Sequence, residues 1–416
     1  MMARLPQAML LLFLAAFASC GYFDPLNPPD SNPADKSITW QTYLGGELDD
    51  IAYSVLQTDD GGYILCGSTR SFGAGEEDVY LVKTDGAGEQ EWSKTFGGTG
   101  ADEGRCVVQT VEKGIVHFVL VGSTRSFGAG EEEVYLIKTD EAGEEQWQQT
   151  FGGTGVDQGH CVQCTNDGGY VIVGSSAAIG APDDIYLIKT DNLGSPVWIK
   201  AFSGICFGDG DTGDYGDCGY RVRQTADLGY IVAGRSQRET TPPNIDDDAC
   251  LLKTDAEGNK LWGKRYGLEY PDTGTGVEQT ADGGYILSGY TRSYGAGDFN
   301  ALLIKTDASG NEQWKRAYGG NGWDRGEGVQ LTSDGGFILV SMSTSWGPYE
   351  QAWIVKTDSE GIEQWDKHFG GYYEEWGLSL QQTSDEGYIL AGKTLSFGAG
   401  NFDAYLVYYK PWLEGP

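Results

Sequence analysis

Carboxylates recur at fixed places along this sequence. One precedes an apolar segment in each of seven repeats, as Asp50, Asp102, Asp157, Asp217, Asp272, Asp324 and Glu375. A second set comprises Asp78, Glu133, Asp184, Asp248 and Asp403. Paired carboxylates can run acid–base glycoside chemistry or hold a divalent cation. A residue repeated in every copy can also do something simpler, capping a turn through backbone N–H groups. A working site is expected where the symmetry of the repeats breaks.

It breaks most in the fourth repeat, between Gly204 and Cys218. Asp209, Asp211, Asp214 and Asp217 there alternate with glycines and could wrap a Ca²⁺ through oxygen ligands, although the spacing is not that of an EF-hand. Cys206 and Cys218 bracket the loop and could close a small disulfide in an exported protein. Extra aromatics, Trp323, Trp346, Tyr372, Tyr373 and Trp376, fall in loops of the sixth and seventh repeats and suit a binding face for sugar rings or a protein partner. Arg70, Arg125 and Arg292 share a loop position beside carboxylates, which predicts local ion pairs. Cys106 and Cys161 occupy one position of adjacent repeats and read as small buried hydrophobes. No catalytic residue is assigned. The histidines, His117, His160 and His368, have no metal-ligand spacing, and no G-x-S-x-G, H-E-x-x-H or P-loop occurs.

The elements that position these residues are strands. Asp85, Gly88 and Trp92 set a pattern that returns at Asp140/Gly143/Trp147, Asp191/Gly194/Trp198, Asp255/Gly258/Trp262, Asp307/Gly310/Trp314 and Asp358/Gly361/Trp365. The Asp caps a hairpin turn, the Gly takes its left-handed position, and the Trp heads the next strand. Asp-Gly-Gly marks a second hairpin at Asp60, Asp167, Asp282 and Asp334. Each repeat then reads as four short strands, and periods of this kind point to solenoids or propellers.

The ends indicate which. The last repeat stops after its third strand, at Tyr405 to Tyr409, and the missing fourth is supplied upstream by Thr39 to Tyr43 around Trp40. The expected fold is therefore all-β, a seven-bladed β-propeller of four-stranded antiparallel blades, closed by the N-terminal strand completing the last blade. In such blades the longer Gly-rich loops, between strands two and three and between blades, share one face with the channel mouth, where binding is expected.

A net charge of -33 argues against nucleic-acid binding. At the N-terminus Arg4 precedes an apolar run from Ala8 to Ala18, too short to span a bilayer and suited to an export signal. Ala18-Ser19-Cys20 resembles a bacterial lipobox, which implies cleavage before Cys20 and a lipid on its thiol. The expected division is a signal peptide over 1–20, a Pro/Asp-rich tether over 21–37 and the propeller over 38–412. Extended, the tether reaches about 55 Å.

Trp40-Gln41-Thr42-Tyr43-Leu44-Gly45-Gly46, with Gly62-Tyr63-Ile64-Leu65-Cys66-Gly67-Ser68-Thr69, resembles the bacterial β-propeller repeat of exported proteins. That resemblance implies a fold and no shared activity. The Asp-turn-Trp element is distantly similar to quinoprotein-type propeller repeats, but no two cysteines here are adjacent as in those enzymes, and no quinone cofactor is expected. The expectation is a lipid-anchored cell-envelope module, monomeric, non-catalytic and needing no cofactor, that binds or scaffolds a protein or glycan. The alternatives are a polysaccharide-acting hydrolase or lyase using loop carboxylates, and a purely structural envelope protein.

Overall fold

The computed structural model describes residues 38–177, 184–204, 216–240 and 244–411. Cys20, the tether, Cys206, Asp209, Asp211 and Asp214 lie outside the described residues. Within them, 28 strands form seven four-stranded antiparallel sheets, each a meander from an inner to an outer strand. Blades 1 to 6 cover 50–96, 102–151, 157–202, 217–266, 272–318 and 324–369. Blade 7 takes three strands from 375–409 and its outer strand from Ile38–Leu44. Trp40 pairs there with Tyr408 and Tyr43 with Tyr405, so the seven-bladed propeller closes as expected.

The second and third strands are mostly buried, and Tyr63–Thr69 and Asp78–Thr84 are buried along their whole length. Outer strands begin exposed and end buried, as Gln90–Phe96 does. Branched and aromatic side chains on both faces of a middle strand pack against the neighbouring blades, which is why these strands read as apolar runs. The apolar core is continuous past the seam: Leu44, Leu406 and Tyr408 share one cluster with Val55, Tyr63 and Leu65 of blade 1.

Two devices recur at the face away from the long loops, one joining neighbouring blades and one tying strands within a blade. The first is the tryptophan. Gly143, in the last turn of blade 2, has φ near +76°, and a Cβ placed on it would lie 2.6 Å from the Trp92 ring of blade 1. The same bare backbone meets a tryptophan at Gly88 on Trp40, Gly194 on Trp147, Gly258 on Trp198, Gly310 on Trp262 and Gly361 on Trp314. Each indole also packs on the aromatic that opens the next blade's second strand, such as Trp147 on Tyr170 at 6.2 Å between centroids. In blade 7 the turn is absent, and Tyr409 meets Trp365 instead, at 5.6 Å.

The second device is a buried lysine. Lys83, Lys189, Lys253, Lys305 and Lys356 reach the aspartate of the first hairpin in their own blade at 2.8–3.0 Å. Burial works against charge on Asp60, but hydrogen bonds from Thr58, Lys83 and Gly62 outweigh it and hold its carboxyl at about 2. Blade 7 replaces the lysine with Tyr408 and Lys410, both bonded to Asp385.

Glycines whose only duty is conformational should therefore be cheaper to replace than those lying under tryptophan. Gly168 has φ near +83° and open space where a Cβ would stand, unlike Gly143. We predict that Gly168→Ala costs about 1 kcal/mol from backbone strain, and Gly143→Ala about 2–4 kcal/mol because the ring must also move. Denaturant unfolding of the two variants compares them, and equal losses would remove the tryptophan contact as a source of stability.

Candidate functional site

The repeated carboxylates are turn caps. Asp102 Oδ2 accepts hydrogen bonds from Gly98 N at 2.8 Å and Ser126 Oγ at 2.6 Å, and Oδ1 accepts one from Thr124 Oγ1. Asp324 repeats this with Gly320, Ser343 and Ser345, and Glu375 with Gly371 and Thr394. In the second set, Asp78 Oδ2 accepts from Gly75 N at 2.9 Å, and Glu133 Oε1 from Gly130 N at 2.9 Å. All seven inner-strand caps are fully buried, so they do not present an acid–base pair to a substrate.

What they position lies three residues further on. Every inner strand bulges there: the pairing shifts at Ala52/Ser54, Gly104/Cys106, Gly159/Cys161, Gly219/Arg221, Gly274/Gly276, Gly326/Gly328 and Gly377/Ser379. A bulge re-aims the extra side chain out of the sheet. Room for it comes from the second strand, where a Cβ on Gly67 would stand only 1.7 Å from the Ile51 carbonyl oxygen, and where Gly122, Gly174, Gly234, Gly289 and Gly392 are crowded by the equivalent oxygens.

The bulged residues are Tyr53, Arg105, His160, Tyr220, Thr275, Glu327 and Leu378, and all seven line one cavity of about 420 Å³ at the channel mouth. The backbone frame repeats, whereas these side chains share almost no chemistry. Arg221, Arg325, Lys393, Tyr290 and Trp376 complete the wall. The mouth opens on the face of the longer loops, as expected.

Its electrostatics run against the rest of the molecule. Four cationic side chains, Arg105, Arg221, Arg325 and Lys393, line the cavity against one carboxylate, Glu327. Three of the cations sit on aromatic rings: Arg105 over Tyr53 at 4.2 Å, Arg325 over Tyr290 at 4.4 Å, and Lys393 over Trp376 at 3.8 Å. Arg105 also meets Glu103 at 2.5 Å, and Arg325 lies 3.7 Å from Glu327. Burial pushes the Glu327 carboxyl up to about 6, with Arg325 pulling the other way. Burial brings His160 down to about 4, so its ring is neutral at pH 7, with Nδ1 placed to donate to the Gly219 carbonyl at 2.9 Å.

Below the mouth lies a second cavity of about 310 Å³, which shares Arg221. Cys106 and Cys161 are buried there as expected, but their Sγ atoms stand 3.8 Å apart. A hydrogen bond from Cys106 holds the Cys161 thiol well below its ordinary range, and Arg221 and Arg223 add to this.

Of the five aromatics expected at a binding face, only Trp376 lines the mouth. Trp323, Trp346, Tyr372 and Tyr373 are about half exposed on the surrounding loops. They form three separate groups: Trp323 on Phe299, Trp346 on Trp353 and His368, and Tyr372 with Tyr373 and Tyr349. Asp217 is buried at the start of the inner strand of blade 4, and Cys218 is buried with its Sγ 3.7 Å from His160 Nδ1. Arg70, Arg125 and Arg292 make the expected ion pairs with Glu77, Glu132 and Asp298. The bulged ring was missed from sequence. Its signal was a Gly before the bulge in six repeats and a Gly opposite it in six, around a residue that varies between repeats.

Neither a protein-family model nor a curated protein matches the sequence. Among solved structures, the chain is similar to BBS1N, crystallised in complex with ARL6DN, with a TM-score of 0.50 and 10% identity over 90% of this chain and 97% of that one. The Pan2 WD40 domain of Neurospora crassa gives 0.49 and 10%, over 90% and 96%. A protein of unknown function from Dyadobacter fermentans gives 0.48 and 13%, over 90% and 99%. At these identities the likeness shows the fold alone.

Glu327 offers a direct check on the burial of the mouth. Its raised value disfavours the charged form in the folded state, so its contribution to stability is full below about 4.5 and is lost as pH rises through about 6. We predict that the melting temperature of Glu327→Gln relative to wild type climbs between pH 4.5 and 6 and is level outside that window. A pH-independent difference in thermal melts would show that this carboxyl is solvated.

Proposed function

We propose that this protein is a non-catalytic binding module of the cell envelope that presents its channel mouth to a protein or glycan. The supporting observation is the ring of seven bulged residues: the frame is copied blade after blade, and only the side chains facing the mouth are individual. Stability alone asks nothing of that position, because the bulge is held by flanking glycines and caps. A concave site of about 420 Å³, with aromatic walls and a few charged groups, has the size and composition of a ligand pocket. The hydrolase or lyase reading draws less support, because the repeated carboxylates it needs are buried in turns.

In this reading a lipid on Cys20 holds the chain to a membrane and the tether over 21–37 lifts the propeller clear. We predict that Cys20→Ser abolishes labelling by a fatty-acid probe in a bacterial host and releases the protein from the membrane fraction. Retained label, or release of the wild type as well, would refute the anchor.

For the mouth, glycan arrays and pull-downs should compare wild type with the double variant Arg105→Gln/Lys393→Gln. The expected result is at least one saturable ligand lost by the variant at unchanged melting temperature. Ligands that bind both proteins equally would move the site elsewhere, and new reducing ends accumulating in a bound glycan would make the protein an enzyme.

A further inference from the structure

Cations in this molecule are accommodated in two ways. Away from the mouth they meet carboxylates, as Lys253 meets Asp227 at 3.0 Å and Arg125 meets Glu132 at 2.9 Å. At the mouth three of the four cations sit on rings, although Arg105 also meets Glu103 and Arg325 lies near Glu327. Lys393 lies between Trp376 and Phe402, at 3.8 and 4.0 Å, with no carboxylate at ion-pair distance among the described residues. Arg221 likewise has no ion pair there among the described residues, and only the Cys161 sulfur at 3.9 Å. A ring face orients a cation and stabilises it by about 0.5–1 kcal/mol where it is exposed, yet carries no net charge. Arg105 and Arg325 keep Glu103 and Glu327 beside them, whereas the charges of Lys393 and Arg221 are held in place without a carboxylate partner among the described residues.

Gathering such charge in a concave, partly dry site is unfavourable by itself, since like charges repel more strongly where water is excluded. In a chain of net charge -33 there was no shortage of carboxylates to place opposite these groups. Leaving Arg221 and Lys393 open, and matching four cations with only two nearby carboxylates, points to an anion supplied from outside.

Two features narrow that anion. First, the rings of Tyr53, Tyr220, Tyr290 and Trp376 stand among the cations and give the cavity apolar walls, which an inorganic ion would not use. Second, an acidic peptide has no strand edge to extend in the channel. Below the mouth, where a threaded chain would run, inner-strand N–H groups are already taken by side chains of the neighbouring blade: Val107 N by Ser54 Oγ at 3.3 Å, Val55 N by Ser379 Oγ at 3.2 Å, and Gln224 N by Gln163 Oε1 at 2.6 Å. Backbone pairing, the usual way a sheet edge captures an extended peptide, is closed off.

We infer that the channel mouth binds a carboxylate-bearing oligosaccharide of two or three rings, its acid groups meeting Arg105, Arg221, Arg325 and Lys393 while sugar faces lie on the aromatic walls. The inference rests on the reading of the propeller as a binding module and names the chemistry of its ligand. Charge-assisted hydrogen bonds from guanidinium to carboxylate supply orientation as well as attraction.

The test is titration calorimetry on the full chain with four probes: a trimer of uronic acid, its neutral methyl ester, sodium sulfate and a tripeptide of glutamate. The acid trimer should bind at least tenfold more tightly than its ester, the sulfate or the peptide, and should weaken as salt is raised. Arg105→Gln/Lys393→Gln should reduce its affinity at least tenfold. Trp376→Ala should also reduce it, whereas Arg70→Gln, on an exposed loop, should leave it unchanged. Equal binding of the ester would mean a neutral sugar, and equal binding of sulfate a bare anion site. Tighter binding of the peptide would assign an acidic protein segment. Each of these overturns the inference and leaves the binding module standing. Silence from all four probes overturns it too; if the arrays and pull-downs are also blank, the module falls with it.

Discussion

Each outer-strand tryptophan needs a stretch of backbone with no side chain on which to lie, and the glycine of the next blade's last turn is that stretch. A Cβ at any of six such glycines would stand 2.4–2.8 Å from an indole carbon. The contact sets how closely neighbouring blades approach, and repeated round the ring it sets how the blades pack. One large aromatic buried this way contributes several kcal/mol, more than any single hydrogen bond in the same turn. The residue after the turn aspartate can vary freely; the glycine three places on cannot.

The seam shows how strict that requirement is. Blade 7 is made from both ends of the described chain, and no turn joins its third strand to its fourth. Trp40 still finds Gly88 of blade 1, while Trp365, with no turn glycine ahead of it, packs on Tyr409 and Tyr388. The lysine that elsewhere ties the third strand to the first hairpin is also replaced there, by Tyr408 and Lys410 on Asp385. Closure is thus a repair of the standard joint with different atoms, and the apolar cluster runs through it without a break.

Such a frame frees the channel mouth from structural duty. Opposed glycines face six of the bulges and Ser341 the seventh, and in this frame the extra residue is Tyr, Arg, His, Tyr, Thr, Glu or Leu. The result is a rigid ring in which seven positions are chemically independent. Cations can be set on aromatic faces there because the inner strands fix both partners; on a mobile loop the same pairs would lose most of their worth to side-chain entropy. The loop aromatics around the rim lack that support and group locally instead.

Strand number, blade number, the role of Trp92 and its equivalents, and the completion of the last blade by Trp40 were all determined by the sequence alone. Each depends on local chemistry repeated at a fixed interval: a turn needs its Asp and Gly, a buried strand its apolar run, and a half-finished blade its missing strand. The cap role of Asp102 and its equivalents was open in sequence for the same reason that it was visible, since repetition marks a position without saying what surrounds it. Only the tertiary structure decided that Arg105, Arg221, Arg325 and Lys393 meet, and that Trp376 belongs with them while Trp323, Trp346, Tyr372 and Tyr373 do not. These residues are up to 288 positions apart and come from different blades. A bulge turns Arg105 inward, but Arg221 and Arg325 flank bulges and Lys393 lies on a second strand. Their meeting therefore follows from closure of the blades around a common axis that no single repeat contains.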